Sequence, residues 1–416
     1  MKSLRQGSSW LLQSIYVTLT IFFKKETQNH ASGLALYFFL SIIPLVYFLN
    51  TVIAGNLELS KALYFLLNML HLDFMDVDFS DSSDRYYGMF KVTSWVSIAV
   101  LLWGSRGLMR SVHGAFSVIF ASPKRRNFVA ANLIALMIIP FSFLTLAIWV
   151  AGDYLGLLFT PSSSSPVVSR LLQLASVLTP LCMSWAICFL SFYFIPPARP
   201  RLRLAVSVSF AWALSIALLQ FLTNTTFKVD EYIKIYGALG AIIFSLIWAY
   251  IASLLFLLCA EFLRVSGKID VIAMERIFLY GEERSRLATR IEHFLFRRSG
   301  RLFEKYGRPC RKGDIIIHQG GSPSEIYYLY SGKVGVYQAG PEGPARIGEV
   351  QEGRLLGEID YLLCASASAT FLAETECFLF TLSPAMFEEL VSSSLKLSGQ
   401  VIDSFRHHFE QPRAKA

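Results

Sequence analysis

YGALGAIIFSLIWAYIASLLFLLCAE, residues 236–261, carries no charged side chain before its final residue, Glu261. A helix needs about 20 predominantly apolar residues to cross a bilayer core of about 30 Å. This run exceeds that length, and it predicts a membrane-spanning helix that ends where the first acid appears. Further runs stand upstream of it. Residues 31–55, 127–152, 171–195 and 204–227 are also uncharged, and residues 89–112 have an uncharged centre at 92–105. The fold class read from this pattern is a polytopic α-helical membrane domain of about six spans.

Composition agrees with two solvents. Hydrophobic residues make up 54% of the 416 and charged ones 16%, against about a quarter charged in a soluble globular chain. The missing charges are missing from the first 260 or so residues, whereas Arg, Lys and Glu crowd the chain after Arg264. A net charge of +8 would suggest nucleic acid if it formed one soluble patch. Much of it instead flanks the apolar runs, so nucleic acid is not expected as a partner.

Short-loop Lys and Arg set orientation. Arg106, Arg110, Lys124, Arg125 and Arg126 follow the second run, and Arg199, Arg201 and Arg203 follow the fourth. The alternate loops differ: residues 73–84 are acidic, 153–169 nearly uncharged, and 228–234 balanced. Both termini are therefore expected in the cytoplasm, with the chain in an inner-membrane-type bilayer. The acidic loop lacks the glycine and closing glutamate of an EF-hand, and it reads as a solvated external loop.

The stretch before these spans is shorter. Leu11, Ile15, Leu19 and Phe22/Phe23 recur at helical spacing with Gln13, Ser14 and Thr18 between them, and cations stand on both sides (Lys2, Arg5, Lys24, Lys25). Residues 1–30 are expected to form an interfacial amphipathic helix on the bilayer, a true first span being the rival. Past residues 31–265, residues 266–302 read as a basic linker helix. Its face of Leu287, Ile291, Phe294 and Leu295 would lie at the membrane surface, with its Arg residues toward anionic lipid headgroups.

From Lys312 the pattern changes to short β-branched and aromatic runs at 315–318, 326–330, 334–338, 346–350 and 371–382. Glycine turns punctuate them at 320–321, 332, 340–343 and 353. Such spacing predicts a small β-sandwich or barrel. Pro384 then opens a helix over 385–395, since proline suits a first turn. The six cysteines show no metal-ligand spacing and no disulfide framework.

Several residues are candidates for function in the membrane half. Gly237 and Gly240, beside Tyr236, permit close helix approach, most simply as a packing seam. Pro44 and Pro140 remove helix hydrogen bonds, a feature that in transporters can line a cavity. Glu261 is an intramembrane acid with Arg264 at i, i+3, which favours an interfacial ion pair.

The 236–261 run, the run ALYFFLSIIPLVYFL at 35–49 and the basic turn before the fifth span together resemble the YihY/BrkB family of bacterial membrane proteins over most of residues 1–265. The resemblance implies the membrane architecture. KGDIIIHQGGSPSEIYYLYSGKVGVYQAG (312–340) and EGRLLGEIDYLL (352–363) resemble the cyclic-nucleotide-binding domain over roughly 303–409. That resemblance implies a β-roll with flanking helices. In such domains a short helix cradles the cyclic phosphate, a glutamate accepts the ribose hydroxyl and an arginine pairs with the phosphate. Gly357 and Glu358 match the first two elements. Ala367 falls at the arginine position, and no basic residue lies between Arg354 and Lys396. Ser368 and Thr370 offer only hydroxyls.

A lost charge-assisted phosphate contact weakens binding by about 1.5–3 kcal/mol. No cofactor is therefore expected, a cyclic nucleotide being the ligand that Ala367 argues against. A small molecule or a protein is left as the partner of the roll. Three readings follow: a transport-related or envelope-supporting membrane protein with a regulatory roll, a membrane-anchored scaffold, and a membrane-bound nuclease. The last draws on a ribonuclease label carried by some members of the membrane family. No hydrolytic motif or metal-ligand spacing supports it, so the chain is not expected to be an enzyme.

Overall fold

The computed structural model describes residues 2–24, 26–53, 87–120, 178, 181–182, 184–196, 200–226, 229–278, 293–297, 300–321, 325–340 and 343–410. They divide into two compact units, Val17–Gly267 and a second made of Met1–Tyr16 with Lys268–Ala416. Helix α1 (Lys2–Lys24) contributes to both.

The Val17–Gly267 unit contains α2 (Gln28–Ile53), α3 (Tyr87–Phe120), α4 (Ser184–Phe194), α5 (Leu202–Thr226) and most of α6 (Val229–Phe278). Its polarity is reversed from that of a water-soluble bundle. Ser209, Thr223, Ser245 and Ser253 are buried, whereas Leu214, Leu218, Phe221, Ile243 and Ile247 are exposed. Large apolar side chains cover the outer surface, while small and hydroxylated ones join Phe116, Phe192 and Leu257 in the interior, as in helices bathed in hydrocarbon. Two of the buried hydroxyls bond within their own helices: Thr223 donates to the Leu219 carbonyl at 2.7 Å, and Ser191 to Ile187 at 2.9 Å. Among the described residues, Leu202–Thr223 and Ile242–Phe278 are long and apolar enough to cross a membrane. The expected spans at 127–152 and much of 171–195 lie outside the described residues, so the count of six is not reached there.

Helix α6 runs unbroken past residue 265, where a linker was expected to begin, and ends at Phe278. Its 50 residues rise about 75 Å at 1.5 Å each, more than twice a hydrocarbon core. The outer end is polar, with Lys268, Asp270, Glu275 and Arg276. At the other end of the chain, the helix expected over 1–30 stops at Lys24, and Glu26 turns the backbone with φ 51° before α2 begins.

Where α2 and α3 pack together, glycine decides the approach. A Cβ on Gly107 would stand 2.3 Å from the Tyr37 ring, and one on Gly104 would stand 2.8 Å from the Ser41 hydroxyl. The sequence reading looked for such a seam at Gly237 and Gly240 and passed over this one. Gly107→Val is expected to push the helices apart at a cost of about 1–3 kcal/mol. This would appear as a lower melting temperature of the detergent-solubilised chain, with partial recovery in Gly107→Val/Tyr37→Ala. An unchanged single variant would show that the helices do not meet there.

The other unit is built on two antiparallel four-stranded sheets. The strands are β1 (Gly307–Cys310), β2 (Ile315–Ile317), β3 (Ile326–Ser331), β4 (Val334–Gly340), β5 (Gly343–Val350), β6 (Leu355–Leu356), β7 (Thr370–Ala373) and β8 (Cys377–Leu382). Sheet order is β1-β8-β3-β6 and β2-β7-β4-β5. The β-roll is thus as expected, with adjustments: the run at 371–382 is two strands in different sheets, and β1 and β6 come from stretches that did not read as strands. Between the sheets lie Ile316, Tyr327, Leu329, Val334, Leu356, Ala373 and Leu379. The outer face of the first sheet is covered too, by an aromatic group around Phe380 that includes Phe303, from α7 (Arg301–Tyr306), and Phe278. This double burial explains why Ile326, Tyr327, Tyr328 and Leu329 are all buried in succession.

Three helices accompany the roll after β5: α8 (Glu358–Leu362), α9 (Pro384–Ser393) and α10 (Leu395–Glu410). Pro384 opens α9 as expected, but Ser394 leaves the helical region (φ −119°, ψ 112°) and separates it from α10. The expected apolar face of the linker, Leu287, Ile291, Phe294 and Leu295, is described only in part. Leu287 and Ile291 lie outside the described residues. In the π-helical turn His293–Arg297, Phe294 is exposed and Phe296 buried. The wider i→i+5 winding of such a turn changes which side chain faces inward.

Candidate functional site

The residues matched to a nucleotide pocket lie on the segment from β6 to β7. Leu355 and Leu356 are buried, and the chain then turns at Gly357 with φ +80°. The positive φ favours glycine, and a Cβ there would also stand 3.0 Å from the tip of the Ile317 side chain. Helix α8 follows, a single turn in which the Tyr361 N–H donates to the Gly357 carbonyl at 3.1 Å.

Glu358 opens α8 but does not face solvent; it is 6% exposed. Burial pushes its carboxyl above the usual range, opposed by hydrogen bonds from its own backbone N–H and from the Ser404 hydroxyl on α10. Asp360, which the sequence reading missed, is equally buried, and its Oδ1 accepts the Ser368 N–H at 3.3 Å. The only signal for it was an acid two residues after Glu358.

Ala367 is closed on every side. Its N–H donates to the Gly321 carbonyl at 2.9 Å, its carbonyl accepts the Gly320 N–H at 2.8 Å, and its methyl is buried. Ser368 is exposed. The Thr370 hydroxyl accepts the Gln319 N–H at 3.1 Å. The structure therefore gathers Gly357, Glu358, Ser368 and Thr370 on one turn-rich segment, but it engages Glu358 and Thr370 in internal hydrogen bonds. A separate hollow of about 390 Å³ lies among α8, α9 and α10, lined by Leu362, Phe387, Glu388, Val391 and Leu395. It does not include Glu358.

The membrane candidates are dispersed. Tyr236 and Gly237 lie on α6, and Gly240 is buried there. Helix α2 continues through Pro44, and Pro140 falls outside the described residues. Glu261 is fully buried beside a core of Phe22, Phe116, Phe192, Leu257 and Leu263. The ion pair anticipated from spacing is present: Arg264 Nη2 and Nε donate to Glu261 Oε1 at 2.5 and 3.1 Å. Among the described residues no three His, Cys, Asp or Glu side chains gather as a metal-ligand set.

Comparisons with known proteins bear on both units. The family model described as virulence factor BrkB matches residues 18–269, and the cyclic nucleotide-binding domain model matches 308–394. No curated protein matches the chain. Among solved structures, the catabolite activator protein of Thermus thermophilus is 20% identical over 26% of this chain and 52% of its own, with a TM-score of 0.25. A transcriptional regulator from Thermotoga maritima is 16% identical over 26% of this chain and 86% of its own, at 0.24. The N-terminal domain of a Streptomyces coelicolor transcriptional regulator is 16% identical over 34% of this chain and 94% of its own, at 0.23. The chain thus spans about half the length of the first of these relatives.

Proposed function

From the premise that this chain belongs to the virulence factor BrkB family and carries a cyclic nucleotide-binding domain, we propose a multi-pass bacterial inner-membrane protein, transport-related or envelope-supporting, whose cytoplasmic β-roll regulates it without pairing a cyclic phosphate to an arginine. Both termini lie in the cytoplasm on this reading, which the Lys and Arg of the short loops support. The roll answers to another small molecule or to a protein, and no catalytic role is assigned to the chain. The observation that carries the regulatory half is Ala367. A methyl group, buried and with both of its backbone groups hydrogen-bonded, stands where the phosphate's planar partner belongs.

Calorimetric titration of the detergent-solubilised full chain with cyclic AMP, cyclic GMP and cyclic dinucleotides tests this. The native chain is expected to show no heat of binding at millimolar ligand. Ala367→Arg is expected to gain about one to two decades in affinity. Micromolar binding by the native chain would sink the proposal.

A second reading, a membrane-anchored scaffold, is favoured by one feature. Leu395 and Ile402, seven residues apart on α10, are exposed and so free to meet a protein partner.

A further inference from the structure

Helix α1 has its polarity turned outside in. Gln13 and Ser14 are fully buried, while Leu11, Leu12 and Ile15 are 46–55% exposed, and Leu19 and Phe23 continue the outward apolar side. In water this arrangement loses twice, by hydrating leucines and by desolvating an amide. It is favourable only where the outer medium is hydrocarbon and the inner surface is polar.

The inner surface is polar in a specific way. Gln13 Nε2 donates to the Leu295 carbonyl at 2.6 Å, and Gln13 Oε1 accepts Arg301 Nε at 3.2 Å. Arg301, nearly buried, places Nη2 2.7 Å from Asp270 Oδ1. That contact is an ion pair whose N–H is not aligned on the oxygen, so charge rather than a directed hydrogen bond holds it. The other Asp270 oxygen accepts Lys305 Nζ at 2.6 Å and the Tyr306 hydroxyl at 2.8 Å. Alongside, the Tyr16 ring meets Phe296 edge-on at 6.5 Å, and the Arg276 guanidinium lies 5.9 Å from its centroid. The Gln13 amide thus ties α1 to the neck of the roll, the His293–Arg297 turn and α7, and Arg301 carries the link on to Asp270 on the outer end of α6.

We infer that α1 is a two-faced strap, its outer face seated in the bilayer's hydrocarbon and its inner face gripping the neck of the β-roll through Gln13, Arg301 and Asp270. The occupant of the outer face is lipid. Lys2 and Arg5 before the apolar stretch, with Lys24 and Lys25 after it, complement anionic headgroups at both ends. The strap rests on the membrane reading above and adds to it a second attachment of the roll, independent of the peptide link through α6.

The full chain in a phosphatidylethanolamine–phosphatidylglycerol bilayer provides the test, with a photo-crosslinking phenylalanine analogue at position 12, 15 or 221. Phe221, outward on α5, reports on the membrane reading alone. Lipid adducts at all three positions are expected. Lipid at 221 with protein adducts, a doubled chain, or nothing at 12 and 15 overturns the strap and leaves the membrane reading intact. Failure at 221 overturns both. For the grip, Gln13→Leu and Arg301→Met are expected to speed amide exchange in Arg301–Tyr306 by about tenfold, the scale of a lost charge-assisted hydrogen bond. Unchanged exchange in both variants overturns the inner contact.

Discussion

Arg264→Ala is expected to destabilise the helical unit by about 3–5 kcal/mol, because it leaves the Glu261 carboxylate buried with no cation beside it. Glu261 is wholly inaccessible, and the Arg264 side chain is 14% exposed. Oε1 takes both guanidinium bonds, while Oε2 has no hydrogen bond among the described residues. A pair of this kind has two faces. Breaking it is costly, whereas replacing both members by apolar groups of similar size is often neutral or stabilising. The double variant Glu261→Leu/Arg264→Leu should therefore regain most of what Arg264→Ala loses. Thermal unfolding of the detergent-solubilised protein, followed by the amount of monodisperse chain, would register both effects. If Arg264→Ala melts like the native protein, the pair contributes nothing to the fold. If the double variant remains as unstable as the single one, Glu261 has a further role that the ion pair does not explain.

That pair also illustrates what was legible in the chain. Glu261 and Arg264 are three residues apart, so helical geometry alone brings them together. The same holds for the spans, where hydrocarbon tolerates no unpaired charge and an uncharged run announces itself. Strands β2 to β5 were readable from β-branched and aromatic runs between glycine turns. Strand β1 was not. Its sequence is GRPC, with a glycine, a charge and a proline, and it is a strand because β8 pairs with it from Gly307↔Phe380 to Cys310↔Cys377. Tertiary pairing there overrides local preference.

The candidate site divides along the same line. Gly357 and Glu358 were found by motif, and the turn at Gly357 has the geometry its residue type implies. The burial of Glu358 was hidden, because its partner Ser404 is on α10, far along the chain. Gln13 was hidden for the same reason. In sequence it is a polar interruption of an apolar helix, and only Leu295 and Arg301 make it a contact. The helix break at Ser394 lies within the run SSSL, residues 392–395, where serine is compatible with either continuation or a turn.

The aromatic packing on the outer face of the first sheet carries the other large expectation. Phe380→Ala should cost the β-roll unit about 3–5 kcal/mol. Phe380 is fully buried, and its ring lies 5.0 Å from Phe303, 5.6 Å from Tyr330, and 5.8 Å from both Phe278 and Phe378. These rings come from α6, α7, β3 and β8, so the lost volume cannot be refilled by one neighbour turning inward. Amide protection in β3 and β8 of the full chain is expected to fall by about two to three decades. Phe278→Ala should do less, since Phe278 is only half-buried and the sandwich interior of Leu329, Leu356 and Leu379 does not depend on it. Yet Phe278 stacks on Tyr328 at 3.6 Å with the planes 17° apart, and it is the last residue of α6. Its removal should therefore loosen the Lys268–Phe278 turns of α6 more than the strands. If exchange in those turns is unchanged while β3 is unprotected, the ring is merely part of the roll's core. If the turns alone loosen, Phe278 is the contact that docks the end of α6 onto the sheet.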